Sequence, residues 1–304
     1  MGTNVAVIDA TRIGDLRALA AMARPSQLLL VMVVYVSGVL LSMWRGGATS
    51  VADVVVGAAL LVPAAVAVHW ANEGADAATD AMTDRTRFSG GSGALARSRF
   101  EPASLLRWAQ LLAAAVAIVA VLLVIAALLP TAGGLLLVIG LAGGLAYSVP
   151  PVSLMRRGFG EPFNALLGAL ILPLFGVAVA RGYVEPLDVV AFLPFTFITT
   201  CSVMATAWPD RVADGATGKD TLQVRLDPSR LRPIYGLTAL AWAGMVLVVM
   251  ALDAAPFPLA PLGVLPFVWI GWTWYTRRTS PWPSVAAMVG HIVVMTAAMG
   301  MALP

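Results

Sequence analysis

Charge is scarce in this chain. Only 12% of its 304 residues are Asp, Glu, Lys or Arg, against 60% hydrophobic. A soluble domain carries about 25% charged residues, so a water-facing surface of ordinary composition is excluded and the membrane class follows. Cysteine is nearly absent: Cys201, alone in an apolar run, rules out an intrachain disulfide framework and reads as a small core residue. Histidine occurs only as His69 and His291, so no Cys/His cluster for zinc or copper is available. Lysine occurs once, as Lys219. No removable signal peptide is expected, because the first apolar run begins near Gln27 and reaches Trp44 without a cleavage-like site.

What is present is apolar sequence in lengths suited to a bilayer. Runs of about 18–25 residues predict nine membrane spans. They fall near 26–44, 51–75, 104–129, 132–149, 162–181, 187–208, 231–252, 257–276 and 284–303. In the eighth, Pro256, Pro258, Pro261 and Pro266 must kink the helix or delay its start. Residues 11–23 predict a short amphipathic surface helix, with Ile13, Leu16 and Leu19 on one side and Arg12, Asp15 and Arg17 toward the other. The expectation is a single integral-membrane domain over 1–304, with 1–23 as a cytoplasmic lead-in.

Basic residues give the orientation. The N-terminus carries Arg12, Arg17 and Arg24, and the connection after span 2 carries Arg85, Arg87, Arg97, Arg99 and Arg107. Arg156 and Arg157 follow span 4, and Arg211, Lys219, Arg225, Arg230 and Arg232 follow span 6. With Arg277 and Arg278 after span 8, 17 of 19 basic residues lie on one side, opposite Arg45 and Arg181. The positive-inside rule therefore predicts a cytoplasmic N-terminus. The two longest connections, 81–103 and 209–230, lie on that side. Long connections in compact folds are commonly functional.

Acids gather at the same two places. Span 2 ends in Asn72-x-x-x-Asp76-x-x-x-Asp80, and span 6 runs into Asp210-x-x-x-Asp214. On a helix, residues four apart share a face, drifting only ~40° per step. A carboxylate near hydrocarbon costs about 3 kcal/mol, which makes an intramembrane acid cluster a functional-site hypothesis. Oxygen donors alone point to Mg²⁺, which binds through one or two carboxylates together with phosphate oxygens. Basic residues beside the acids would defeat a bare cation channel but suit a metal-bridged diphosphate. His69 lies one turn before Asn72. It reads either as a satisfied core histidine or as a contact for an acceptor. Asn72 can serve the site or a helix–helix hydrogen bond, and Asp84 could extend the acid face by a turn. Tyr147 suits an interface belt or a diphosphate contact. Arg24-Pro25 suits a helix start or a cavity rim, and Ser89-Gly90-Gly91-Ser92-Gly93 a hinge or a phosphate-binding backbone.

On these residues the chain resembles the UbiA superfamily of intramembrane prenyltransferases. Its first motif, Asn72-Glu73-Gly74-Ala75-Asp76-Ala77-Ala78-Thr79-Asp80, is similar to N-D-x-x-D-x-x-x-D, with Glu73 where many members have Asp. Asp210 to Thr221 is similar to D-x-x-x-D-x-x-x-G-K-x-T, and Tyr147 to Glu161 to the stretch after the fourth helix. Before Asp210, Thr206-Ala207-Trp208-Pro209 departs from the Asn and Arg common in the family. The 88–93 loop looks most like the naphthoate prenyltransferases of menaquinone synthesis.

The resemblance implies an all-α bundle of nine transmembrane helices, two four-helix repeats plus a ninth, around a cavity opening to lipid. It implies Mg²⁺ held by Asp76, Asp80, Asp210 and Asp214, with Asn72 and Lys219 also in the catalytic set. Donor or acceptor contacts would come from Arg85, Arg87, Tyr147, Arg156, Arg157, His69 and Arg24. The implied partners are an isoprenoid diphosphate donor, a small aromatic or other nucleophilic acceptor and the lipid bilayer; no nucleic acid is expected. The implied setting is the plasma membrane, with the site facing the cytoplasm. Two rival functions share these features. A membrane terpene cyclase of the same superfamily would ionise the diphosphate without an acceptor. An ion-coupled transporter would use the carboxylates at repeats, although acids at one rim argue against it.

Overall fold

The computed structural model describes residues 14–303, so Arg12 and Ile13 of the expected lead-in helix lie outside the described residues. Among those residues the chain forms helices and no strand. Long apolar runs reach this state because hydrocarbon offers no partner for backbone N–H and C=O, and a helix satisfies both internally. In chain order they are α1 (Asp15–Met22), α2 (Pro25–Trp44), α3 (Val51–Asp80), α4 (Pro102–Ile125), α5 (Thr131–Ser148) and α6 (Gly160–Arg181). After them come α7 (Pro186–Ala207), α8 (Arg211–Ala216), α9 (Leu222–Arg225), α10 (Pro228–Ala251), α11 (Leu265–Trp274) and α12 (Trp282–Met301).

Eight of these, α2 to α7, α10 and α12, are long and apolar enough to cross a bilayer. The remaining expected span differs. Its prolines leave an irregular start, a 3-10 turn at Ala260–Val264 and then the ten-residue α11. Together these reach roughly 25 Å, short of the ~30 Å hydrocarbon thickness. α3 departs in the other direction. Its 30 residues extend past the expected 51–75, and Ser50 caps its first turn by accepting from the Asp53 N–H at 3.4 Å. At roughly 45 Å it outruns the hydrocarbon by about 15 Å, so Asn72 to Asp80 ride on a projecting helical end. The helix stops at Asp80, and Asp84 lies exposed beyond it rather than adding a turn.

α1 buries Ala18 and Met22 against Ala94, Leu95 and Leu105, with Leu19 and Trp70 beside them. Leu16, expected on the apolar side, is 83% exposed. Two cores hold the long helices. One joins Tyr35, Leu61, Ala113, Leu141 and Phe175; the other joins Val34, Phe192, Trp242 and Ile292. α2 and α6 feed both. α6 contains a π turn over Leu167–Ile171 ahead of Pro173, the kind of bulge that accommodates a proline inside a long helix.

Candidate active site

The projecting end of α3 and the segment after α7 meet at one place, joined by a single ammonium group. Lys219 Nζ lies 2.7 Å from Asp76 Oδ1 and 3.2 Å from Asp214 Oδ1. A second link is Thr79 Oγ1 to Thr217 Oγ1 at 2.9 Å. Asp214 sits in α8, whose short length and C-terminal turn through Gly218 (φ 74°) swing Lys219 back over its own helix. Burial alone would depress the Lys219 ammonium, but Asp76 and Asp214 together outweigh it and hold its pKa above the usual lysine value.

The acids are under-compensated. Asp80 and Asp210 have no ion-pair partner among the described residues. Burial, and then the neighbouring Asp214, push the Asp210 carboxyl up to about 6. Asp214 is also raised, chiefly by burial, with Lys219 opposing. Asp210 Oδ1 is sealed from solvent with no hydrogen-bond partner, and Asp76 Oδ1 has only the ion-pair contact with Lys219. Unpartnered buried carboxylate oxygens are costly, and a cation supplied from outside would satisfy them. Among the described residues no three acidic or histidine side chains converge tightly enough to enclose a metal by themselves. That suits Mg²⁺, which takes only one or two carboxylates from the protein and the rest from water and phosphate.

The third stretch closes the ring. Arg156 Nη1 donates to the Thr217 carbonyl at 2.9 Å, and the Asp220 N–H donates to the Arg156 carbonyl at 3.3 Å. Glu161 Oε1, at the start of α6, accepts from the Leu222 N–H at 3.0 Å. Tyr147 stands at the end of α5 beside Asn164, within reach of the Asp76 charge. Asn72 Oδ1 accepts from the Ser148 hydroxyl at 3.3 Å, tying α3 to α5. Asn72, Asp76, Asp80, Asp210, Asp214, Lys219, Arg156 and Tyr147 therefore lie around one centre.

The remaining predicted residues stand apart from it. His69 Nδ1 is 2.7 Å from the Ala23 carbonyl, which puts the ring proton on Nδ1 and pins the end of α1. Arg24 pairs with the buried Glu73 at 2.8 Å. Arg157 Nη2 donates to the Pro151 carbonyl at 2.6 Å on the exposed side of its loop. Arg85 lies along the backbone of Gly90 and Gly93, and Arg87 lies over the Phe88 ring at 5.9 Å. Glu161 and Thr217 fall inside the quoted motifs, but spacing alone gave them no role. Their contacts join residues 61 and 138 positions apart, which no local pattern encodes.

Known structures share this architecture. A UbiA homologue from Archaeoglobus fulgidus bound to GPP and Mg²⁺ superposes with a TM-score of 0.67 at 16% identity, covering 94% of this chain and 99% of that one. The same homologue bound to DMAPP and Mg²⁺ gives 0.64 at 16% identity over 93% and 99%. A structure describing digeranylgeranylglyceryl phosphate synthase in membranes gives 0.62 at 9% identity over 93% and 98%. No curated protein matches the sequence. Residues 29–301 match the UbiA prenyltransferase family, and the chain belongs to it.

Proposed function

We propose that the protein transfers a prenyl group, with Mg²⁺, from an isoprenoid diphosphate to a small aromatic acceptor inside the membrane. The observation that carries this reading is the convergence of Asp76 and Asp214 on one ammonium, because it makes two motifs 138 residues apart a single polar centre. Asp76, Asp80, Asp210 and Asp214 would hold Mg²⁺ ions, and the oxygens of Asp210 and Asp76 that lack a hydrogen bond support that role. Mg²⁺, when bound, supplies positive charge to the diphosphate leaving group. The homologue bound to GPP and Mg²⁺ supports both ligands.

This chain's own groups account for the remaining steps. Lys219 and Arg156 neutralise phosphate oxygens as the allylic C–O bond breaks and its electron pair leaves with the diphosphate. Tyr147 donates its hydroxyl to the same group. An electron-rich carbon of the acceptor then bonds to the allylic cation and loses its proton. Arg24, Arg85, Arg87, Arg157 and His69 stand further out, and we assign them to the rim that receives donor and acceptor. Resemblance of the 88–93 loop supports an acceptor of the naphthoate kind, as in menaquinone synthesis.

The chain acts as a single integral-membrane unit of nine crossings, with α11 and its preceding turn as the short one and two four-helix repeats before α12. The asymmetry of 17 basic residues against two supports a cytoplasmic N-terminus and site, and a plasma-membrane setting. The test is an assay of purified protein with a panel of prenyl diphosphates and aromatic acceptors, with and without Mg²⁺. Prenylated acceptor formed only with Mg²⁺ is expected. Cyclised hydrocarbon formed without acceptor would favour the cyclase, and flux across proteoliposomes without conversion would favour a transporter.

A further inference from the structure

Glu73 belongs to the acid-bearing stretch and yet takes no part in the lysine-bridged cluster. Helical geometry puts it only ~20° from Asp80, seven residues on, so the two carboxylates lie on one stripe of α3. Unlike Asp76 and Asp210, it is fully engaged. Its Oε2 pairs with Arg24 Nη2 at 2.8 Å, and the Ser92 N–H donates to Oε1 at 3.1 Å. The Ser92 hydroxyl donates to Oε1 as well. Only 2% of Glu73 is exposed.

Its two partners come from different segments, and each lies at a sharp turn of the backbone. Arg24, at the elbow between α1 and α2, has φ 53°, in the left-handed region that L residues avoid. Ser92 lies between Gly91 and Gly93, at φ 60° and 64°. A Cβ on Gly91 would overlap the Asp80 carboxylate and stand 3.4 Å from Glu73 Oε2, so the loop backbone passes directly against Asp80. The elbow has further fasteners on the same stretch of α3: His69 to the Ala23 carbonyl, and Trp70 Nε1 to the Leu19 carbonyl at 3.1 Å. An Asp15–Arg99 ion pair joins α1 to the far end of the loop segment.

We infer that Glu73 is a positioning residue. It is one carboxylate that fastens the α1–α2 elbow and the glycine loop to α3, so that the loop is already seated against Asp80 when a diphosphate arrives. With both oxygens committed to Arg24 and Ser92, Glu73 is the acid of the motif that does not serve as a metal ligand. The inference rests on the reading of Asp80 as part of the diphosphate site.

Hydrogen–deuterium exchange on the purified full-length protein in detergent, without Mg²⁺, tests it. In Glu73→Ala, exchange is expected to quicken on the order of tenfold in two separate segments, 20–27 and 85–93, as a charge-assisted hydrogen bond is lost at each. Ser92→Ala is expected to quicken 85–93 alone. Glu73→Gln keeps an oxygen for the Ser92 N–H but loses the charge facing Arg24, so 20–27 responds more than 85–93. Should Glu73→Ala fail to fold, the other two variants carry the same contrast. Unchanged exchange at 85–93 in both Glu73→Ala and Ser92→Ala, or a rise spread evenly over all helices, would overturn the proposal. In turnover assays the Ser92→Ala KM for the prenyl diphosphate rises by more than kcat falls. A wild-type protein that turns over no prenyl diphosphate would remove the enzymatic reading while leaving the exchange result to decide the role of Glu73.

Discussion

At the ends of α2, α6 and α7 away from the aspartates, Arg45 and Arg181 meet Glu185 and Asp188 in a second ionic cluster, buried except at Glu185. Arg181 pairs with Asp188 and lies 3.6 Å from Glu185, while Arg45 reaches Asp188 at 3.5 Å and Glu185 at 3.8 Å. Arg45 also donates to the Ala254 carbonyl at 2.9 Å, and Asp188 accepts from the Glu185 N–H at 2.7 Å at the start of α7. Two cations face two anions, and Asp188 is completely buried. The aspartate centre has a negative excess, with four acids against Lys219, which contacts Asp76 and Asp214, and the neighbouring Arg156. A charge-balanced cluster joins helices through paired charges, even though Asp188 Oδ1 and the Nε atoms of Arg45 and Arg181 make no hydrogen bond of their own. An unbalanced one keeps a negative excess that a bound cation would offset.

The widest separation between the two clusters is expected in turnover. Asp76→Ala and Asp210→Ala should each lower the rate of prenyl transfer by about 100-fold or more, the scale of losing a principal electrostatic group, with the protein still folded and inserted. Asp188→Asn should do the reverse. It should cost about 3–5 kcal/mol of stability, because the buried Arg181 and Arg45 keep only the partly exposed Glu185 as counter-charge, while turnover per folded molecule persists. Thermal denaturation beside a rate assay checks both, and an Asp210→Ala protein that merely unfolds earlier would erase the distinction.

A smaller effect sharpens the same contrast. Combining Arg181→Met with Asp188→Leu should recover about 1–4 kcal/mol relative to Asp188→Asn, since an apolar pair of similar volume often replaces a buried ion pair without loss. Next comes ligand linkage. Mg²⁺ at about 100 times its Kd should stabilise the wild type by about 2.7 kcal/mol, read as a rise in Tm. That rise should vanish in Asp210→Ala and survive in Asp188→Asn. The smallest change is expected from Gly91→Ala. Its left-handed φ alone costs about 1–2 kcal/mol, and contact with Asp80 adds a fall in activity that Gly182→Ala, equally left-handed with open space around its Cβ position, should not show.

Much of the fold can be read from hydropathy because a bilayer imposes one length scale on every crossing. The eight long helices begin and end within a few residues of the expected spans, apart from the far end of α3. There the apolar pattern stops at about residue 75 while the helix continues to Asp80, since backbone hydrogen bonding persists where hydropathy no longer requires it. The four proline positions correctly marked 257–276 as irregular, but composition could not give the length of α11. At the candidate site, four-residue spacing picks out Asp76, Asp80, Asp210 and Asp214, which the fold brings near one another. The same spacing leaves out Glu73, which stands one residue off the Asn72, Asp76 and Asp80 series, and it carries no sign of the Arg24 and Ser92 contacts that hold that acid. Arg85 and Arg157 lie against local backbone and Arg87 over the Phe88 ring, a rotamer-level outcome that one-dimensional order does not carry.

The crossing of α2 and α6 has its own consequence. A Cβ on Gly38 would collide with the Pro173 carbonyl, and one on Gly176 with the Tyr35 carbonyl, so the two helices touch backbone to backbone. Both hydrophobic cores draw on this pair. The contact therefore behaves as a rivet toward the Trp44 and Arg181 ends of the two helices, with no side chain available to yield. Even a single methyl group added at Gly38 would press on the backbone of α6 and so disturb both cores at once.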